Sequence, residues 1–208
     1  MHYLFDYLQK DKGLLDLMTI DLLTIDLLTI DLMTIDLLTL NSLYLCAMKI
    51  LMVCLGNICR SPLAEGILKM KAEEAGLHWI IDSAGTNSYH LGEAPHHLSQ
   101  KVAKQNGIDI SGRFSRKFLG EDFERFDKIY AMANDVASDI INISGKKYNS
   151  HKMDLFLNEL HPGKNHDVPD PWYGDEDGYH DVYALIEKTC DAILENYFAT
   201  QQQTPPIA

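Results

Sequence analysis

From Met48 onward the chain predicts a single α/β domain: a four-stranded parallel sheet with helices on both faces, preceded by a non-globular N-terminal extension. Three observations carry that prediction. Short apolar runs alternate with amphipathic stretches, as strands and their crossover helices must in a parallel sheet. The first apolar run passes straight into a helix-start signal, Ser61-Pro62. A length of about 150 residues supplies one core and no second one.

The elements follow in order. Ile50 to Val53 is short and β-branched at both ends, as a buried parallel strand should be, and sets the first strand at 49–54. Ser61 can cap a helix over 61–75, with Pro62 at its first position, where a missing N–H costs nothing. A second strand at 80–84 lies in Ile81-Asp82-Ser83-Ala84-Gly85-Thr86, and an amphipathic stretch predicts a helix at 96–106. The run at 127–133 reads as the third strand, 134–143 as a helix, 152–157 as the fourth strand and 178–198 as the last helix. The domain therefore spans 48–200. The tail, 201–208, is polar, carries Pro205-Pro206 and predicts disorder.

Ligands of such sheets sit at the carboxyl ends of the strands, and Cys54 ends the first. Between it and the helix the chain must curl tightly, and its amides converge. Successive N–H groups delivered to a helix start bind a tetrahedral dianion. The same positive field favours the thiolate of Cys54 over the thiol, and a thiolate there attacks phosphorus. Arg60 can fork two N–H donors onto two phosphate oxygens and stabilise charge in the transition state. Gly56 and Asn57 are the residue types that most readily accept positive φ, which so tight a loop calls for. The Ser61 hydroxyl is placed to donate to the sulfur as it leaves in a second step.

The string VCLGNICRSP, residues 53–62, followed by Asp170-Pro171-Trp172-Tyr173-Gly174, closely resembles the low-molecular-weight protein tyrosine phosphatases, over about Lys49 to Thr200. A bare Cys-x5-Arg arises by chance; joined to the strand, the Ser-Pro start and the Asp-Pro-aromatic-aromatic motif, it is specific. The resemblance implies a phosphotyrosine protein phosphatase I-like fold and a cofactor-free hydrolase acting on a phosphotyrosine-containing protein through a phosphocysteine. Cys54 would be the nucleophile, Arg60 the phosphate ligand and Asp170 the general acid and then base. Pro171 would stiffen the Asp170 segment; alternatively Asp-Pro merely opens a turn. Leu55, Ile58, Tyr89, Trp172 and Tyr173 would form an apolar slot deep enough for a phenyl ring, with Gly56 and Cys59 completing the loop, unless the aromatics are core. Ile58 argues against the family's arginine phosphatases, which tend to carry threonine there. Asn57 and Ser61, which the resemblance also counts among the substrate-binding residues of the loop, and Ser83 resemble residues that brace the loop. Two positions depart from the pattern: Arg113 stands where many relatives have histidine, and Ala133 where they commonly have aspartate. Neither takes a catalytic role.

Four cysteines, two of them in the loop, do not form the disulfide framework of a secreted protein, and a reducing cytoplasm fits better. In family members with this pair, Cys59 forms a reversible disulfide with the oxidised nucleophile; otherwise it is a small buried filler. Cys46 and Cys190 show no motif spacing. The nine histidines form no zinc-like set, so no metal is implied. A net charge of −12 argues against nucleic acid and anionic membranes as partners. Oligomeric state is not legible.

Residues 1–47 repeat Asp every five positions from Asp16 to Asp36, with Leu, Thr and Ile between. Five residues advance a helix by about 500°, so the aspartates spiral over every face, and in a strand they alternate faces. Neither a membrane span nor a signal peptide fits. A pentapeptide-type solenoid needs more coils than this. The remaining reading is an extension translated from repetitive DNA, with Met48 as the true start. Its seven acidic residues against two lysines hold five of the twelve net negative charges.

Two rival functions use the same loop. Arsenate reductase relays oxidation through further cysteines downstream, and none lies between Cys59 and Cys190. A non-catalytic phosphotyrosine-binding pseudophosphatase is at odds with Cys54, Arg60 and Asp170 all being present.

Overall fold

The computed structural model describes residues 47–203; the repetitive segment and residues 204–208, on which the expectations of disorder and of a spurious extension fall, lie outside the described residues. Strand β1 (Lys49–Cys54) occupies the centre of the sheet. It pairs in parallel with β2 (Ile80–Gly85) on one edge and β3 (Lys128–Ala131) on the other, and β4 (Met153–Leu155) joins β3 in parallel, giving the order β2-β1-β3-β4.

Because side chains alternate along a strand, β1 feeds two cores. Ile50 and Met52 pack with Leu63 and Ile67 of α1 (Arg60–Glu74), Val102 of α2 (His97–Gln105) and Ile186 of the last helix. Leu51 and Val53 face the other way, toward Phe118, toward Phe123 of the single-turn α3 (Asp122–Arg125), and toward Val136 and Ile140 of α4 (Asn134–Ser144). A strand covered on both faces has no solvent side to be polar on, hence the unbroken apolar run. The last helix, α5 (Glu176–Gln203), runs three residues into the segment expected to be a disordered tail.

The start of α1 differs from expectation. The helix begins at Arg60 with Cys59 as N-cap and no capping side chain, so Ser61 lies inside the first turn. Pro62 is then the third helical residue, still among the positions whose N–H needs no helical partner. Ser61 is freed for another hydrogen bond, described below. Residues 60–68 of α1 are buried on every side. Gly66 permits that closeness, since a Cβ there would stand 2.7 Å from Ile110 Cγ2. Strand β4 is shorter than expected and runs into a 3-10 turn at Phe156–Asn158.

After β2 the chain crosses to the far side of β1 to form β3. That reversal opens a crevice at the carboxyl ends of β1 and β3, where open α/β sheets hold their ligands. Cys54 is the last residue of β1. Among the described residues no helix is long and apolar enough to cross a membrane.

Candidate active site

Residues 55–59 link β1 to α1 in a loop turned around the Cys54 sulfur. Asn57 N–H donates to Cys54 Sγ at 3.2 Å, and Ser61 Oγ stands 3.0 Å from it. The loop is held from outside. The carbonyls of Cys54 and Leu55 accept from the amides of Thr86 and Asn87, and that of Ile58 accepts from His96 N–H. Gly56 and Cys59 carbonyls accept from the hydroxyls of Ser115 and Ser99. In a trans peptide the C=O and the next N–H point opposite ways. Five carbonyls anchored outward therefore turn the amides of residues 55, 56, 57, 59 and 60 inward, into a concave nest for an anion.

Asn57 has φ +54°, a left-handed conformation that costs a non-glycine residue energy. Its side chain holds it there: Oδ1 accepts from Arg116 N–H at 3.0 Å, while Nδ2 donates to Ser61 Oγ at 2.9 Å and to Ser83 Oγ at 2.8 Å. Gly56, expected to share that conformation, is not left-handed. Its missing side chain matters for space instead, because a Cβ there would meet His90 Cδ2 at 3.1 Å. Gly85, paired in register with Cys54, supports the loop from below. A Cβ on Gly85 would lie 2.9 Å from Leu55 O and 3.0 Å from Asn57 N.

Arg60, only 6 % exposed, spans the nest and the segment opposite. Its Nη2 meets Asp170 Oδ2 at 2.7 Å and its Nη1 donates to Val168 O at 3.2 Å. Its Nε is buried with no partner, a donor that suits an oxyanion. Asp170 opens a turn, as the plainer of the two sequence readings expected, and its carboxylate also reaches Arg60. Its Oδ1 accepts from Trp172 N–H at 3.1 Å, opening the turn Pro171–Tyr173, while Oδ2 pairs with Arg60.

Together these groups line one cleft of about 270 Å³, with Cys54, Cys59 and Arg60 joined by Leu55, Ile58, Tyr89, Asp170, Trp172 and Tyr173. Tyr89 and Tyr173 are 85 % and 92 % exposed, so they are not core. Asn57, Ser61 and Ser83 lie behind the loop, buried, and do not line the cleft. Cys59 does line it, and burial pushes its thiol up to about 11, so it stays protonated at neutral pH. Its sulfur is 3.6 Å from Tyr179 OH.

Sequence reasoning missed several members. Asn87 and His90 line the cleft; His90 pairs with Glu93 at 2.9 Å and its ring lies 5.4 Å from that of Trp172. The position of His90 directly after Tyr89 was the only available signal. Glu65 accepts from Ser83 Oγ at 2.6 Å and pairs with Arg113, yet a glutamate four residues into a helix reads as a solvent-facing position. Ala133 caps nothing; Asp167 instead accepts from Asn134 N–H at 2.8 Å and serves the start of α4. Among the described residues no group of three or more His, Cys, Asp or Glu side chains is placed to hold a metal ion.

Comparison with known proteins gives one family. The profile described as "Low molecular weight phosphotyrosine protein phosphatase" matches residues 49–203. The chain is 40 % identical over 144 residues to the Schizosaccharomyces pombe low molecular weight phosphotyrosine protein phosphatase, covering 67 % of this chain and 90 % of that one. It resembles the crystal structure of the Entamoeba histolytica protein tyrosine phosphatase at TM-score 0.68 and 36 % identity, over 74 % of this chain and 99 % of that one. It also resembles the Drosophila arginine phosphatase DARP, at TM-score 0.67 and 31 % identity, over 72 % of this chain and 98 % of that one.

Proposed function

Because the chain belongs to the low-molecular-weight phosphotyrosine protein phosphatase family, we propose that it hydrolyses phosphotyrosine in proteins through a phosphocysteine on Cys54. The observation that carries this reading is the sulfur at the floor of an outward-anchored nest, with Asn57 N–H at 3.2 Å, Ser61 Oγ at 3.0 Å and the Arg60–Asp170 pair lining the same cleft.

In the first step the Cys54 thiolate attacks phosphorus. The bond from phosphorus to the tyrosine oxygen breaks, its electron pair goes to that oxygen, and protonated Asp170 supplies the proton. Loop amides and Arg60 hold the equatorial oxygens as charge builds. In the second step water attacks phosphorus and passes a proton to the Asp170 carboxylate. The sulfur–phosphorus bond breaks, sulfur takes its electrons back under the Ser61 hydroxyl, and inorganic phosphate leaves. Arg60 holds the acid and the phosphate site on one guanidinium, so leaving group and proton donor share a geometry.

Tyr89, Trp172 and Tyr173 around the mouth, with Leu55 and Ile58 within, suit a flat phenyl ring, and a short phosphoserine would leave its phosphate above Cys54. The likeness to an arginine phosphatase makes phosphoarginine the alternative to exclude, and Ile58 favours the aryl ester. The test compares phosphotyrosine, phosphoserine and phosphoarginine peptides. Hydrolysis of phosphotyrosine alone, abolished in Cys54→Ser, is expected; a Cys54→Ser protein that still turns over, or preference for phosphoarginine, overturns the reading.

A further inference from the structure

We propose that Arg113 is a positioning residue for the Cys54 chemistry: paired with the buried Glu65 carboxylate, it sets the direction of a chain of hydrogen bonds that ends with the Ser61 hydroxyl on the sulfur. The inference rests on Cys54 being the nucleophile, as proposed above.

The direction can be read link by link. Arg116 N–H can only donate, so the Asn57 atom it meets at 3.0 Å is the amide oxygen. Asn57 Nδ2 then has two hydrogens, given to Ser61 Oγ at 2.9 Å and Ser83 Oγ at 2.8 Å. Having accepted from Asn57, Ser83 has its own hydrogen to give, and Glu65 Oε2 takes it at 2.6 Å. Ser61 is in the same position. Its hydrogen goes to Cys54 Sγ at 3.0 Å, since the other acceptor in reach, Ala84 O, is 3.5 Å away.

The four links between Arg113 and the sulfur are buried: Asn57 is 2 % exposed, Ser61 0 %, Glu65 6 % and Ser83 6 %. No solvent is at hand to repair a reversed bond. Glu65 Oε2 accepts from Ser83, and only the ionised carboxylate has no hydrogen with which to reverse that bond; a buried carboxylate in turn requires a cation. Arg113 supplies it through Nη1 on Glu65 Oε1. Arg116 is committed elsewhere, to Asp82 at 2.9 Å and Asp122 at 3.1 Å. Among the described residues Arg113 alone forms an ion pair with Glu65, and its Nε is buried without a partner.

A neutral residue at 113 would let Glu65 take up a proton and become a donor. Ser83 would turn, Asn57 would lose its fixed orientation, and Ser61 would no longer be directed at sulfur. Sulfur is both attacking and leaving group, so turnover suffers, whereas phosphate affinity stays with the loop amides and Arg60.

The test measures kcat and KM for p-nitrophenyl phosphate on the full chain, beside thermal unfolding. Arg113→Gln is expected to lower kcat about tenfold, the scale of one lost charge-assisted hydrogen bond, with KM within about twofold. Arg113→Lys keeps the charge and is expected to recover most of that loss. In a Glu65→Gln background, where no buried charge needs a partner, adding Arg113→Gln is expected to change kcat by less than about twofold. Wild-type kcat in Arg113→Gln, equal losses in the Lys and Gln variants, or independent multiplication of the two substitutions overturns the proposal. If Arg113→Gln alone does not fold, the Glu65→Gln and double variants decide: equal kcat supports the coupling and a large gap overturns it. A wild-type enzyme that turns over but ignores Arg113 sinks only this inference. Turnover in Cys54→Ser sinks the phosphatase reading itself.

Discussion

At the scale of single residues, the second loop sulfur, Cys59, five positions after Cys54, is held as a thiol. Burial holds Cys59 near 11, so below that pH it is a thiol and a poor nucleophile. Of the two loop thiols, iodoacetate at pH 7 is therefore expected to label Cys54 and spare Cys59, which reacts only as the pH climbs toward 11. Peptide mapping reads this directly, and rapid Cys59 labelling at pH 7 in Cys54→Ser would contradict it. Asp170 carries the second residue-level prediction. Asp170→Asn keeps shape but carries no proton to give, so kcat should fall by about 10²–10⁴ while KM holds; an unchanged kcat removes Asp170 from the acid role. Cys54, Arg60 and Asn57 were legible because they stand together in one ten-residue string with a helix-start signal. Glu65, Arg113 and Arg116 were not, because each acquires its role from a group tens of residues away, and a charged side chain gives no sign in sequence that it will be buried.

At the scale of elements, strand and helix positions followed from apolar runs, and errors concentrated at ends. Ser61-Pro62 is a reasonable helix start by local rules, but the loop needs its serine under the sulfur, so the helix begins one residue earlier without a side-chain cap. Short pieces such as α3 have no period long enough to detect. The junction of β2 with the loop carries a prediction of its own. A methyl group on Gly85 would sit 2.9–3.0 Å from three backbone atoms of residues 55–57, and backbone cannot rotate aside as a side chain can. Gly85→Ala is expected to cost about 1–3 kcal/mol of stability and, by lifting the loop, to lower kcat and raise KM together. A variant with wild-type melting and kinetics would show that the loop does not rest on that contact.

For the molecule as a whole, the order β2-β1-β3-β4 puts the most buried strand at the centre and Cys54 at its open end. The family profile matches residues 49–203, and the groups described at the candidate site lie within that span. A protein of residues 48–203 is therefore expected to keep the full chain's kcat and KM on p-nitrophenyl phosphate; a loss of activity would assign the repetitive segment a part in the enzyme. Fold class was readable because alternation of strand and helix leaves few topologies, whereas the bracing of the site was not, since it is assembled from five separated stretches.

The outward-bound carbonyls of the loop carry one more implication. Their five donors come from residues 86, 87, 96, 99 and 115, so the curvature that receives an oxyanion belongs to the surrounding body and not to the decapeptide that marks it. Excised as a peptide, or spliced into a foreign strand–helix junction, VCLGNICRSP would carry the fingerprint and lose the grip.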